Sequence, residues 1–271
     1  MDFSRIKAIT ADIDGTLTTN YKVLPQSVMD TLEELHQKGY LLGLSSGRPV
    51  EDVWNMDETW GLSFKFDFII ALNGVELWDR ASMKKYEYFM LKKEWIKDIM
   101  ELMAPLKTNA NAYFPGEMMV SWIDDSIIAS CERTGRKPVQ AKDDSDFYQQ
   151  DIGKIMFRLL PERMEEVKAY VAERLHSDDY SGFQTNVHMF EFANKKANKG
   201  YALKQYLKMH DLDPEECLAF GDTTNDNDIL AACVGVCLAN GTDDTKALAR
   251  YITEKPCAED GFSDFVRRHL L

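Results

Sequence analysis

Short apolar runs alternate with amphipathic stretches along most of the chain, a pattern typical of an α/β fold. Residues 6–13 form a largely apolar run and predict a buried strand. Val28, Leu32 and Leu35 then recur at helical spacing, and Gly39 stands where that helix would end. The chain therefore begins with a strand followed by a helix.

The C-terminal part repeats this style, whereas the middle has a different texture. Two middle segments alternate apolar and polar residues, as half-exposed strands do, and a polar stretch at 136–151 predicts a loop. The pattern predicts a parallel-sheet core from residues 1–79 and 193–271, with an α+β domain inserted over residues 80–192. The predicted strands cover 6–13, 40–45, 66–72, 119–123, 187–192, 217–220, 234–239 and 251–253, and helices are predicted around 28–35, 95–103, 164–175 and 199–210.

The composition of the chain argues against some classes of binding partner. Its 271 residues include 32 basic and 45 acidic residues, so the formal net charge is 32 − 45 = −13, which would repel nucleic acid and anionic membranes. Any affinity for phosphate must then come from a local cation or a bound metal. No targeting segment or membrane-spanning run is expected, and the five cysteines form no Cys-x-x-Cys pair. We expect a cytoplasmic protein with reduced, buried thiols.

The clearest chemical signal is the sequence Asp12-Ile13-Asp14-Gly15-Thr16-Leu17 directly after the first predicted strand. Side chains two apart on an extended chain point the same way, so the two aspartates are expected side by side at the carboxyl end of the strand. Open α/β sheets bind ligands at that edge. Taken alone, the same residues could form an ordinary solvated turn.

A second acidic cluster, residues 221–228, also follows a predicted strand. Magnesium uses one or two protein carboxylates together with waters and substrate phosphate, and Asp222 with Asp12 would meet that need. The alternative is a polar loop whose aspartates cap the next helix. Both interpretations can hold together, because a loop can cap a helix and bind a metal ion.

Two smaller segments would complete a phosphate site. Ser46-Gly47-Arg48 follows the second predicted strand and offers a hydroxyl, backbone N–H groups and a guanidinium. Lys199 opens a predicted helix, where its ammonium group could reach the same edge of the sheet. Singly, such residues are usually solvated surface, so the evidence lies in their order along the chain.

This ordered set resembles the four motifs of the haloacid dehalogenase-like (HAD) superfamily. The matching segments are residues 12–17, Ser46-Gly47-Arg48, Lys199-Gly200-Tyr201-Ala202-Leu203 and residues 221–226. Asn73-Gly74, Asn240 and Glu259-Asp260-Gly261 resemble the Cof-like branch, which carries a type II, subtype B cap. The resemblance implies a Rossmann-like core with residues 80–192 as the cap domain. Residues 191–196 and 238–239 depart from the branch pattern, which affects cap docking and substrate choice.

The resemblance also implies residue roles in a magnesium-dependent phosphatase. Asp12 would be the nucleophile that forms an aspartyl-phosphate, and Asp14 the general acid and base. Magnesium would bind Asp12, the backbone carbonyl of Asp14 and Asp222. The implied phosphate-binding residues are Ser46, Gly47, Lys199 and Asn225. Asp226 would orient these residues without contacting the phosphate itself.

Three functions remain open at this stage. A phosphatase acting on a small phosphorylated metabolite, above all a sugar phosphate, is the leading hypothesis. A sugar phosphomutase is the alternative, because phosphomannomutases share the cap type and an aspartate at the second motif position. A non-catalytic sensor of phosphorylated metabolites is disfavoured, because such a protein would not need the full set of acidic and basic residues. The sequence leaves the oligomeric state open.

Overall fold

The computed structural model describes residues 3–271, which divide into two compact units. The core unit comprises the chain up to Tyr88 together with Asn198–Leu271, and the inserted unit is Phe89–Ala197. Each unit has its own sheet, as expected for an α/β core with an inserted α+β segment. The predicted fold class is confirmed.

The strands are β1 (Ala8–Asp12), β2 (Leu41–Ser45), β3 (Phe68–Ala71), β4 (Glu76–Asp79), β5 (Lys84–Glu87), β6 (Asn109–Phe114), β7 (Glu117–Val120), β8 (Lys137–Gln140), β9 (Ile155–Arg158), β10 (Tyr180–Asn186), β11 (Met189–Asn194), β12 (Cys217–Gly221), β13 (Val234–Cys237) and β14 (Tyr251–Ile252).

The α-helices are α1 (Gln26–Gln37), α2 (Val50–Val53), α3 (Met56–Trp60), α4 (Lys93–Met103), α5 (Asp125–Thr134), α6 (Met164–Arg174), α7 (Lys199–Met209), α8 (Asn227–Ala232), α9 (Asp243–Leu248) and α10 (Gly261–His269), and short 3₁₀ turns lie between several of these elements.

The core unit is built on an eight-stranded sheet in the order β14-β13-β12-β1-β2-β3-β4-β5. The first six strands in this order are parallel, while β4 and β5 extend the sheet as antiparallel strands. Strand β1 lies between β2 and β12, and all five of its residues are buried. Its register pairs Asp12 with Ser45 and Ala11 with Phe220, which brings the ends of three strands to one level.

Apolar side chains cover both faces of this sheet. On one face, α1 and α10 pack through residues such as Leu32 and Phe265 against strand residues such as Ile9. On the other face, α7 and α8 pack through residues such as Leu203 against strand residues such as Phe68. Burial on both faces explains why the central strands β1, β2, β3, β12 and β13 read as continuous apolar runs.

The inserted unit has a six-stranded sheet in the order β10-β11-β9-β6-β7-β8. It is antiparallel except for the parallel pair β7–β8. Helices α4 and α6 pack on one face through Ile99 and Val167, where strand residues such as Phe157 complete the core. Helix α5 contributes Ile127 and Cys131 to a smaller cluster with β7.

The structure corrects three details of the predicted elements. Residues 136–151 were expected to form a loop, but Lys137–Gln140 is the edge strand β8, paired with β7. Its composition, with Pro138 and two polar ends, hides the strand, because edge strands often carry proline and charge. The strand expected at 119–123 lies at Glu117–Val120, and the parallel sheet gains the antiparallel strands β4 and β5.

Candidate functional site

The candidate site starts from Asp12, the last residue of β1. This residue is 7 % exposed, although a carboxylate is rarely buried without a charged partner. Lys199 supplies that partner, because its Nζ lies 2.6 Å from Asp12 Oδ1. The first and third predicted motifs therefore meet in the fold.

Helix α7 holds Lys199 in place. Asn198 is the N-cap residue, and its side chain accepts a hydrogen bond of 2.7 Å from the Tyr201 N–H. The Lys199 side chain is fully buried, and its Nζ donates a second hydrogen bond of 2.6 Å to Asp226 Oδ1. Burial lowers the pKa of Lys199, but the charges of Asp12 and Asp226 outweigh this effect and hold the pKa above its ordinary value.

Asp226 connects the lysine to the loop after β12. Its Oδ1 accepts from Lys199, and its Oδ2 accepts from the N–H groups of Asp222 at 3.0 Å and Thr223 at 3.2 Å. Asp226 is fully buried, and its two oxygens thus fix both the cation and the loop that carries Asp222. Asp226, which the resemblance assigns to a supporting role, therefore bonds both to Lys199 and to the loop of Asp222.

Asp222 stands beside Asp12 at the same edge of the sheet and is 6 % exposed. The Thr16 hydroxyl donates to its Oδ1 at 3.0 Å, and the Asn240 amide donates to its Oδ2 at 3.3 Å. Gly15 has φ +87°, and a Cβ there would lie 2.4 Å from Asp222 Oδ2. Only glycine therefore lets the loop after β1 pass this carboxylate.

The site carries an excess of negative charge. Carboxylate oxygens of Asp12, Asp222 and Asp226 lie within 4.8 Å of one another, and Lys199 is the cation bonded to this group. Burial raises the pKa of Asp12 to about 7, although Lys199 opposes the shift. Burial also raises the pKa of Asp222 to about 6, reinforced by the charge of Asp226 and opposed by the Thr16 hydrogen bond.

Raised pKa values mean that the ionised forms of these acids lack full compensation in the protein alone. A divalent cation would supply the missing positive charge, and carboxylate oxygens are its preferred ligands. Asp12 and Asp222 suit that role better than Asp226, because Asp226 is fully buried and already accepts three hydrogen bonds, one of them from the Lys199 ammonium. The cluster could therefore bind a divalent metal ion.

Asp14 does not join the acidic cluster. Its side chain is 52 % exposed and forms an ion pair with Arg48, whose Nη2 lies 2.8 Å from Asp14 Oδ2. The expectation that Asp12 and Asp14 lie side by side assumed an extended chain through both residues. The strand ends at Asp12, and the chain turns so that the Gly15 N–H donates to the Thr18 carbonyl at 2.8 Å. Asp14 consequently pairs with Arg48 rather than with the buried acids.

The Ser46–Gly47 segment follows β2 at the same level as Asp12. Ser46 is buried, and its Oγ accepts a hydrogen bond of 3.2 Å from the Arg48 N–H. A Cβ at Gly47 would approach the Asn73 Oδ1 to 3.2 Å, so this turn and the Asn73 loop pack closely. Asn225 is exposed, and its amide donates to the same Asn73 oxygen at 3.3 Å. These contacts bring three loops together: the Ser46–Gly47 turn, the Asn73 loop and the loop that carries Asn225.

Asn73 lies in an unusual stretch of backbone. Leu72, Asn73 and Gly74 all have positive φ, at 46°, 54° and 94°. A Cβ at Gly74 would lie 2.0 Å from the Asn198 carbonyl oxygen, so this turn contacts the start of α7. The predicted site set did not include Asn73; the Asn-Gly pair after a strand was its signal, since both residues favour left-handed backbone.

Thr16 and Asn240 were also absent from the predicted site set. The Asn240 amide donates to the Gly15 carbonyl at 2.9 Å as well as to Asp222, and its oxygen accepts from the Cys257 N–H at 2.7 Å. It thereby ties a C-terminal loop to the loop after β1. The resemblance to the Cof-like branch was the signal for Asn240, but its bonding partners are distant in sequence and could not be read from it.

The motif order, the α/β core and this acidic edge can be compared with known proteins. Residues 9–266 match the sequence profile of a family described as haloacid dehalogenase-like hydrolase. The chain belongs to this family. The prediction of a HAD-like hydrolase is confirmed, and the fold agrees with it.

Solved structures share the fold of this HAD-like chain. A haloacid dehalogenase-like hydrolase from Bacteroides thetaiotaomicron is 22 % identical and superposes with a TM-score of 0.84, covering 97 % of this chain and 99 % of the other. A structure described as a HAD subclass IIB sugar phosphatase is 20 % identical, with a TM-score of 0.76 over 97 % and 98 % of the two chains.

Curated relatives of this HAD-like chain include named phosphatases. The 5-amino-6-(5-phospho-D-ribitylamino)uracil phosphatase YitU of Bacillus subtilis is 23 % identical over 269 residues, covering 97 % of each chain.

Among the described residues, no helix has the length and apolar character needed to cross a membrane.

Proposed function

We propose that the protein is a magnesium-dependent phosphatase that hydrolyses a small phosphorylated metabolite through an aspartyl-phosphate on Asp12. The observation that carries the proposal is the Asp12 carboxylate at the end of β1, bonded to the buried Lys199 beside Asp222. A structural role alone does not explain it, because burying three carboxylates around one lysine is costly.

In the first step, Asp12 attacks phosphorus and the leaving alcohol departs. Lys199 is bonded to Asp12 Oδ1, so Oδ2 is the oxygen that forms the new bond. The same ammonium group favours the ionised, nucleophilic form of Asp12 against the effect of burial. It can also stabilise negative charge that develops on the transferring group.

In the second step, water hydrolyses the aspartyl-phosphate. Asp14 is proposed to protonate the leaving alcohol in the first step and to accept the proton of the attacking water in the second. Its carboxyl group is half exposed, which suits a group that must exchange protons. The Ser46 hydroxyl, the Gly47 N–H, Lys199 and Asn225 are proposed to bind the phosphate oxygens.

Asp12, the backbone carbonyl of Asp14 and Asp222 are proposed to hold Mg²⁺. When bound, the ion offsets the repulsion between the carboxylates and the substrate phosphate. Thr16 and Asn240 orient Asp222 through their hydrogen bonds, and Asp226 fixes Lys199. This arrangement leaves Asp222 pre-positioned before any ligand binds.

The substrate class rests on weaker support than the chemistry. One relative is named for a phosphorylated ribitylamino-uracil, and one structural neighbour is described as a sugar phosphatase. Both names support polyhydroxylated phosphate esters as the first compounds to test. Residues 80–192 are proposed as a cap domain that selects the substrate and excludes water, and a cytoplasmic location stays a prediction.

The test is release of inorganic phosphate from a panel of sugar phosphates, nucleotides and flavin mononucleotide, with Mg²⁺ or with a chelator. We expect release that requires Mg²⁺. Turnover that needs a bisphosphorylated sugar and yields little free phosphate would favour a phosphomutase instead. Saturable binding of a phosphorylated compound without turnover, in the presence of Mg²⁺, would favour a sensor.

The proposed division of labour between the aspartates is tested with Asp14→Asn. This variant should still bind phosphate but lose nearly all hydrolysis, because the leaving group and the water lack their proton carrier. Isothermal titration with inorganic phosphate measures the first property, and phosphate release measures the second. Hydrolysis at the wild-type rate would remove Asp14 from the acid–base role.

A further inference from the structure

Arg48 lies between an aromatic ring and the carboxylate of Asp14. Its guanidinium carbon is 4.0 Å from the centroid of the Tyr21 ring. Its Nε and Nη2 both donate to Asp14 Oδ2, at 3.3 Å and 2.8 Å. Tyr21 therefore contacts the group that contacts the proposed acid, without belonging to any of the sequence motifs.

An ion pair this exposed is weak without further support. The side chains of Arg48 and Asp14 are 28 % and 52 % exposed, and such pairs contribute about 0–1 kcal/mol because ordering two mobile side chains offsets the attraction. Stacking on Tyr21 restricts the guanidinium before it meets the carboxylate. The ring thus lowers the entropic cost of holding Asp14 in one orientation.

Tyr21 is itself anchored to the core unit. The Trp60 indole N–H donates to the Tyr21 carbonyl at 2.7 Å, and the Tyr21 side chain packs against the main apolar cluster. The Thr18 hydroxyl donates to the carbonyls of Asn20 and Val23, so hydrogen bonds join the residues before and after Tyr21. The ring is consequently a fixed surface rather than a mobile side chain.

We propose that Tyr21 is a positioning residue, which fixes Arg48 and through it the Asp14 carboxyl group for proton transfer to the leaving alcohol. Arg48 occupies Oδ2, so Oδ1 carries the proton and gives it to the leaving oxygen as the bond from that oxygen to phosphorus breaks. Oδ2 remains bonded to Arg48 throughout. This inference rests on the proposed phosphatase function.

The test compares two phosphate monoesters in wild type and Tyr21→Ala. One is the best alkyl ester from the substrate panel, whose alkoxide must be protonated to leave. The other is p-nitrophenyl phosphate, whose leaving group departs without a proton. Tyr21→Ala should lower kcat for the alkyl ester roughly tenfold, a part of the full general-acid effect, and change kcat for the aryl ester much less.

Tyr21→Phe is the conservative variant. The Tyr21 hydroxyl is buried and makes no hydrogen bond to a described residue, so phenylalanine keeps the stacked ring at little cost. It should retain the wild-type ratio of the two rates. Tyr170→Ala is the matched control, because it removes a similar stack, 4.2 Å from Arg174, in the inserted unit. It should leave the ratio unchanged.

Arg48→Lys gives a second route if Tyr21→Ala fails to fold. It keeps the charge but loses the pair of N–H donors, and it should produce the same selective loss with the alkyl ester. Equal losses with both esters in these variants would overturn the positioning role, as would a Tyr21→Phe variant as impaired as Tyr21→Ala. A wild-type protein inert toward every ester would instead refute the phosphatase function, and the positioning role with it.

Discussion

Each unit of the protein buries a lysine against a carboxylate, but the two pairs differ in charge balance. In the inserted unit, Lys154 Nζ lies 2.8 Å from Glu191 Oε2, and the Thr185 hydroxyl donates to Glu191 Oε1 at 2.9 Å. In the core unit, Lys199 bonds to both Asp12 and Asp226, with a third acid within reach. The inserted unit thus joins a buried cation to a buried carboxylate, whereas the core unit sets one lysine among three buried acids.

The difference separates a structural pair from a binding site. A matched pair satisfies its own charges and can persist as part of a folded domain. In the core unit, hydrogen bonds from neighbouring backbone and side-chain groups keep the three acids close together. Their excess negative charge can therefore bind a cation. Buried charge alone therefore says little about function, but uncompensated buried charge points to a ligand.

The largest expected contrast comes from neutralising one acid in each pair. Asp12→Asn should abolish phosphate release, by about 10⁴-fold or more, because the nucleophile is lost. It should also raise the stability of the metal-free protein, since it removes uncompensated charge. Glu191→Gln should lower stability instead, because it removes the carboxylate charge that faces the buried Lys154 ammonium.

Urea unfolding of both variants in chelator measures the stability difference, with circular dichroism to confirm the fold. A less stable Asp12→Asn variant would contradict the view that the core acids repel one another. Appreciable residual turnover in that variant would rule out the covalent mechanism.

The next contrast comes from replacing both members of each pair. Lys154→Met alone should lower the free energy of unfolding by about 3–5 kcal/mol, and adding Glu191→Leu should restore most of that loss. Lys199→Met combined with Asp226→Leu should stay destabilised, because Asp12 and a second acid remain buried. Urea unfolding of the two double variants and of the single variants Lys154→Met and Lys199→Met measures this difference. Equal recovery in the two units would remove the distinction between them.

A third contrast is the pH dependence of the metal-free protein. The pKa values of Asp12 and Asp222 rise from 3.8 in the free side chain to about 7 and about 6, so the folded protein binds more protons than the unfolded chain between these values. These groups therefore lower the free energy of unfolding as pH rises from about 4 to 7, by on the order of a few kcal/mol.

Thermal unfolding in chelator across this range measures that pH effect, with Asp12→Asn as the control that should reduce it to the contribution of Asp222. Adding Mg²⁺ at neutral pH should restore stability, because the ion binds the folded form. A metal-free protein whose melting temperature follows the same pH curve as Asp12→Asn would contradict the raised pKa of Asp12.

The smallest contrast uses two threonines that each donate a hydroxyl to a buried acid. Thr16→Val removes the bond to Asp222, and Thr185→Val removes the bond to Glu191. Each should cost about 1 kcal/mol of stability. Only Thr16→Val should weaken the apparent affinity for Mg²⁺ in phosphate release, by a few-fold. The same Mg²⁺ dependence in both variants would place Asp222 outside the metal site.

Much of this architecture is readable from sequence, because the relevant signals are local. The runs around β1 and β12 are buried on both faces and read as uninterrupted apolar segments, and an Asp follows or ends each of them. Strand ends of a parallel sheet share an edge, which was enough to bring Asp12 and Asp222 together.

The remaining features depend on contacts between distant segments. Asn240 acquires its role only when its loop lies against Gly15, and Asp226 acquires its role when α7 brings Lys199 to it. The orientation of Asp14 depends on where β1 ends, and the apolar pattern predicts that boundary only to within a few residues. Strand β8 was missed because Pro138 and polar neighbours are as common in loops as at sheet edges.

The position of β1 has a consequence for synthesis on the ribosome. Its partner β2 emerges soon after it, but its other neighbour, which pairs Cys217 with Ala8, is translated only after the whole inserted unit. At cellular elongation rates this interval is on the order of ten seconds or more. During that time an apolar strand edge stays open to chaperones and to other nascent chains, so codon usage and chaperone supply across residues 89–217 should govern the yield of active protein.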